Sequence, residues 1–118
     1  MAYLVYRSTD TTVIDLLKSD GAGATIDGTW GDSTKTSCLI KSIVIAASSA
    51  AVVDLRLETS ATTSADRYIF DGLVMSAATT ITMDTPITFD RSAADLVLEL
   101  ASGDVTIFVD YQENKKLI

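Results

Sequence analysis

With 118 residues the chain suits one domain and is too short for two. Hydrophobic residues make up 47% of it and charged ones 21%, which excludes disorder and allows a core without metals or cross-links. A net charge of −7 repels phosphate backbones and anionic lipid, so neither nucleic acid nor a membrane surface is expected as a partner.

The N-terminal run Met-Ala-Tyr-Leu-Val-Tyr lacks the basic start and long apolar stretch of a signal peptide. No window approaches the roughly 20 apolar residues of a membrane helix. The expectation is a chain made and folded in a cytoplasm. Sixteen threonines and twelve serines, many placed singly among Val, Ile and Leu, favour strands, because a branched Cβ restricts χ1 to rotamers that suit a pleated surface.

In chain order, residues 3–7 form a first short β-type run. Residues 12–17 are assigned to a strand, although Val13, Leu16 and Leu17 would share one face of a helical turn that Asp10 could cap. Residues 19–37 form the longest loop. Gly21, Gly23, Gly28 and Gly31 are strewn there among Asp20, Asp27, Asp32, Ser33 and Thr34, and a minimal strand fits at 24–26.

Residues 39–46 are too densely apolar for clean alternation, as in a strand covered on both faces or carrying a bulge. After a small-residue turn at 47–50, Val53, Leu55 and Leu57 alternate with Asp54, Arg56 and Glu58, giving one dry face and one wet face. Residues 59–65 are a polar connection. Asp71-Gly72, set between the apolar runs 67–70 and 73–76, is the strongest short-range hairpin signal. Residues 80–83 alternate, and Pro86 opens a short strand at 87–89, where a missing donor is tolerated.

The last hairpin is the clearest expectation. Leu96, Leu98 and Leu100 alternate up to Ser102-Gly103, and Val105, Ile107, Val109 and Tyr111 alternate after it. Residues 47–54 echo 101–107, as two similar β units would. The sum is eight or nine short strands and no long helix. That predicts an all-β antiparallel β-sandwich of jelly-roll type over residues 1–118, with the loop 19–37 and a short C-terminal tail at 113–118.

Chemistry is sparse. With no histidine, the usual general base, zinc ligand and Ser-His pair are missing. Cys38 is alone in an apolar run and is read as a buried, inert thiol. The glycines make no phosphate-cradling motif. Asp54 with Glu58, and Glu99 with Asp110, are the only carboxylate pairs to weigh for glycoside chemistry; a solvated strand face explains them. Asp20, Asp27 and Asp32 are too widely spaced for the Asp-x-Asp-x-Asp-Gly calcium pattern, though a folded loop could still gather them; turn formation is the reading taken. No catalytic residue, cofactor or metal is therefore expected.

Two features point to contacts with other chains. Trp30 is a lone indole in a glycine-rich loop, either folded back to cap the sandwich or anchoring a partner. Lys115, Lys116, Leu117 and Ile118 end the chain as a frayed tail or as an arm laid on a neighbouring subunit.

The runs Leu39-Ile40-Lys41-Ser42-Ile43-Val44-Ile45, Ala50-Ala51-Val52-Val53-Asp54-Leu55-Arg56-Leu57 and Asp84-Thr85-Pro86-Ile87-Thr88-Phe89-Asp90, with Ser102-Gly103 leading into Val109-Asp110-Tyr111, resemble the small jelly-roll virion proteins of tailed bacteriophages. The likeness is to the capsid decoration, or cement, type. It implies a non-enzymatic protein of the virion, a homo-oligomer (a trimer above all) seated on the major capsid protein or other virion proteins. A tail or head–tail joining component would have the same composition. From a different class, a carbohydrate-binding module would need Tyr3, Tyr6, Tyr68 and Tyr111 to converge on one face, and an enzyme would have to work with carboxylates alone.

Overall fold

The computed structural model describes residues 2–9, 11, 13–18, 23–25, 28–60, 62, 66–115 and 117. Among them lie ten strands and no helix: β1 (Ala2–Ser8), β2 (Ile14–Asp15), β3 (Ala24–Thr25), β4 (Lys35–Ala47), β5 (Ala51–Glu58), β6 (Arg67–Met75), β7 (Thr79–Met83), β8 (Ile87–Asp90), β9 (Asp95–Ser102) and β10 (Val105–Lys115). They form two antiparallel sheets. The first runs β1-β10-β4, with β7 and β8 sharing the far edge of β4; the second runs β3-β2-β9-β5-β6.

Leu4, Ile43, Ile45, Ile107 and Val109 of the first sheet meet Val53, Leu55, Leu96, Leu98 and Leu100 of the second in one dry core. Burying such side chains contributes roughly 1.5–3 kcal/mol each, which is the main force holding the sheets together. The expected β-sandwich is the fold.

The dense run in β4 carries the bulge. Asp110 pairs with Ser42 and Tyr111 with Ile40, so Lys41 is an extra residue on β4. Before it Cys38 and Ile40 point inward; after it Ile43, Ile45 and Ala47 do. One inserted residue flips the parity, so a strand that breaks alternation still keeps one dry face.

Pairing departs from the sequence expectation in four places. β9 and β10 are not a hairpin: β9 pairs with β2 and β5, β10 with β1 and β4, and Ser102-Gly103 crosses between the sheets. Both strands alternate because each lines the same core from opposite sides. Residues 48–50 make the same crossing from β4 to β5, and the two corners touch, with the Ser48 amide donating to the Asp104 carbonyl at 3.0 Å. The echo between them thus marks two equivalent corners.

Asp71-Gly72 is not a hairpin turn either. Both residues lie inside β6, opposite the single residue Asp54. Gly72 has φ +64°, so the positive φ that suits a hairpin serves here as a bulge in an edge strand. Of the expected strand at 12–17, Thr12 lies outside the described residues; among 13–17 only Ile14 and Asp15 are strand, and Leu16 and Leu17 are buried in the turn that follows. Finally, Glu113, Asn114 and Lys115 belong to β10, where Glu113 pairs with Cys38 and Lys115 with Lys35, so no tail begins at 113. Ile26, at the end of the minimal strand expected at 24–26, lies outside the described residues.

Candidate functional site

Three connections meet at one end of the sandwich: 28–34 before β4, the described residues 59, 60, 62 and 66 between β5 and β6, and 91–94 before β9. Asp95, Val97 and Glu99 on β9, with Arg56 and Glu58 on β5, have the parity of the outer, wet face of the second sheet, yet Val97 is fully buried and Asp95, Arg56 and Glu58 nearly so. The segment 28–34 reaches this face at Asp95 and at Glu58. The Gly31 amide donates to Asp95 Oδ1 at 3.0 Å, and Trp30 Nε1 donates to Glu58 Oε1 at 3.1 Å. Gly31 adopts φ +82°, and a Cβ there would overlap the Ser92 backbone, so the close approach of 28–34 to 91–94 requires glycine.

Beside this segment two arginines hold the carboxylates. Arg56 Nε reaches Glu58 Oε2 at 2.8 Å and Asp66 Oδ2 at 3.4 Å, and its Nη1 reaches Glu99 Oε1 at 2.9 Å. Tyr68 lies beside the same guanidinium, its ring centroid 5.9 Å from Arg56 Cζ. Arg91 Nη1 reaches Asp95 Oδ1 at 2.9 Å, and Arg91 Nε lies 2.6 Å from Glu113 Oε2. That last pair is not aligned as a hydrogen bond, so the contact is Coulombic.

Asp15 enters from β2 on the same face. Its Oδ1 accepts the Leu17 amide at 3.1 Å, and its pairing opposite Val97 sets its carboxyl beside that of Asp95, two residues along β9 on the same face. Burial, then the Asp95 charge, push the Asp15 carboxyl up to about 7. Asp66 is also raised, by burial first and then by Glu58. Cys38, on the core face, is pushed up to about 12 by burial and then by the nearby Glu113, which keeps the thiol protonated and unreactive.

The candidates expected from the sequence scatter. Trp30 is half-buried and folded back on the second sheet, while Lys115 is an exposed strand residue on β10 and Leu117 is exposed. Lys116 and Ile118 lie outside the described residues. Asp20 and Asp27 of the weighed calcium loop also lie outside them, and Asp32 turns inward on its own segment, accepting the Thr34 amide and hydroxyl. Among the described residues no three His, Cys, Asp or Glu side chains are grouped to hold a metal ion, and no helix is long and apolar enough to cross a membrane.

The expectation that a solvated face explains the acids fails for Glu58, which is buried in the Arg56 cluster. Asp54 is spent on backbone, taking the Gly72 amide. A cavity of about 340 Å³ opens at the same end among Leu57, Thr59, Arg67, Phe89, Asp90, Ala93 and Ala94, where Asp90 is the one acid. Sugar hydrolysis needs two facing carboxyls, and this cleft has one. The tyrosines diverge too: Tyr3 and Tyr68 are exposed on different sheets, Tyr6 packs against the core, and Tyr111 is buried.

The cluster of Arg91, Asp95 and Asp15 was missed in the sequence. The usable signal was Val97, an apolar residue at a wet-face position between two acids, which requires something to cover it. Among known proteins, no family model matches the chain and no curated protein is similar to it.

Proposed function

We propose that the protein is a non-enzymatic structural component of a bacteriophage virion, a capsid decoration protein that oligomerises and binds the major capsid protein. The observation that carries this reading is the outer face of the first sheet. Val5, Phe108 and Val44 are successive cross-strand partners on β1, β10 and β4, and Tyr3 leans on Phe108 with ring centroids 6.4 Å apart. Val5 and Tyr3 are 46% and 63% exposed. The second sheet covers part of its outer face with the segment 28–34; this row has no such cover among the described residues. An aromatic and β-branched patch on a rigid sheet is what a protein partner buries.

Wiring supports the same reading. Taking β2 with β3 and β7 with β8 as single positions, the sheets run 1-8-3-6 and 2-7-4-5, the order of two Greek keys wound into a jelly roll. The carboxylates of the loop end are engaged by Arg56 and Arg91, which suits rigidity better than turnover. On a lattice, many such weak patches add to firm retention.

The test is co-sedimentation of the purified protein with expanded phage heads and, separately, with tails, alongside light scattering for oligomeric state. The expected result is an oligomer that binds heads, with Val5→Lys abolishing binding at unchanged melting temperature. Binding to tails alone would move the site within the virion. A monomer that binds neither, or a Val5→Lys variant that binds as well as the parent, overturns the proposal.

A further inference from the structure

Asp15 and Asp95 are almost entirely inaccessible, at 0% and 1% exposure. Asp15 Oδ2 and Asp95 Oδ2 are both buried, and no donor in the described structure reaches either. Asp15 is paired opposite Val97, two residues from Asp95 on the same face of the sheet, and two ionised carboxylates so placed would repel each other in a desolvated space. A single proton between them removes the repulsion and supplies the missing donor, as in any close carboxyl pair.

The charged neighbours on every packed element fit one proton. Arg91, from the turn before β9, sits on Asp95 Oδ1 but is divided with Glu113 of β10. Glu58 on β5 is the cross-strand partner of Asp95 and is already held by Arg56, while Asp32 of the covering segment also faces Arg91. One guanidinium therefore serves Asp95, Glu113, Asp32 and Asp15. It does not neutralise a further charge.

The covering segment is fastened to this pair. Asp95 Oδ1 takes the Gly31 amide, the Arg91 carbonyl takes the Asp32 amide at 2.9 Å, and the adjacent Trp30 closes on Glu58.

We propose that Asp15 and Asp95 form a proton-operated latch on the segment 28–34: with one proton shared between the two carboxyls the segment lies closed, and its loss frees Trp30. On opening, the proton goes to water and leaves two carboxylates, which must be hydrated. Water reaches them only when Gly31 lifts from Asp95, and Trp30 then leaves Glu58 and becomes exposed. The latch does not depend on the virion reading or on the identity of any partner.

The chain is suited to a clean test, because it has one tryptophan and no histidine, so no side chain of ordinary pKa titrates between pH 5 and 8. Tryptophan emission of the full chain is followed from pH 5.5 to 8.5. The expected result is a red shift as pH rises, centred near 7. Asp15→Asn, whose amide donates to Asp95 without titrating, is expected to hold the closed-state spectrum throughout. It also separates the latch from the α-amino group, which titrates near pH 8. A flat profile in the parent chain, or the same shift in Asp15→Asn, overturns the latch. Should that variant not fold, the parent alone decides by NMR: the Gly31 amide and Trp30 indole N–H resonances must titrate together. Resonances that stay put across the range overturn it equally.

Discussion

The Asp54 carboxylate accepts the Gly72 backbone amide at 2.6 Å, so a side chain on β5 fills the place of a ladder bond where β6 bulges. An exposed nine-residue edge strand is a template for unwanted pairing, and a bulge that kinks it is a common defence. Removing the carboxylate leaves the bulge without its acceptor. Asp54→Ala is expected to destabilise by about 1.5–3 kcal/mol, the usual worth of a hydrogen bond to a charged group, read by urea denaturation. Asp54→Asn, which keeps an acceptor, should lose less than half of that.

Three corner and bulge positions separate backbone strain from crowding. Gly72 has open space around it, so Gly72→Ala meets only the positive-φ penalty, about 1–2 kcal/mol. Gly103 has φ +99°, and a Cβ there would overlap the Ala50 carbonyl and Ala51 of the neighbouring corner. Strain and overpacking then act together, and Gly103→Ala should cost about 3 kcal/mol or more. Ala78 is the reverse case, a non-glycine residue at φ 62° whose amide bonds the Ala47 carbonyl. Ala78→Gly should raise stability, by up to about 1 kcal/mol. Thermal melts that rank the three differently would contradict these backbone assignments.

These positions also show what the sequence carried. Alternation at Leu96, Leu98, Leu100 and at Val105, Ile107, Val109 gave the inward face of β9 and β10 correctly. Alternation says which side of a strand is dry and nothing about which strand lies beside it, so a crossing corner and a hairpin turn look alike. Asp71-Gly72 fails for a related reason, since positive φ is needed by bulge and turn alike. At the loop end, Arg56 and Glu58 have the pattern of a wet face. Glu58 is met by Trp30 from the segment 28–34, more than 20 positions away, and Arg56 by Asp66 and Tyr68 from beyond its own strand, and no local periodicity records either.

Charge position predicts unequal effects of two arginine substitutions. Arg91 is buried between Asp95 and Glu113, and its removal leaves those carboxylates desolvated and uncompensated. Arg91→Met should therefore cost about 3–5 kcal/mol, read by denaturant unfolding. Arg7 forms a bidentate pair with Asp104, at 2.6 and 3.2 Å, yet its side chain is 67% exposed. Solvent and salt screen that pair, and Arg7→Met should leave the transition unchanged within error. Equal losses would mean that the loop end is wetter than its geometry indicates.

The buried carboxyl pair fixes the sign of the pH dependence. Asp15 ordinarily titrates at 3.8 but is raised to about 7 in the fold, by burial first and by Asp95 next. Between these values the folded chain holds a proton that the unfolded chain has released, so stability falls as pH rises through the window. Below 3.8 both states are protonated and the contribution is complete; above about 7 it is lost. Asp66, raised in the same direction, adds to the fall. Asp32, lowered chiefly by Thr34, and Asp104, lowered chiefly by Arg7, act oppositely, and their contributions are lost as pH falls below the carboxylate range. The melting temperature should therefore peak in mildly acidic buffer and decline toward pH 8. In Asp15→Asn the decline should flatten while the acid limb stays, because Asp32 and Asp104 are untouched. A parent protein whose melting temperature rises steadily from pH 4 to 8 would show that Asp15 is ionised in the fold.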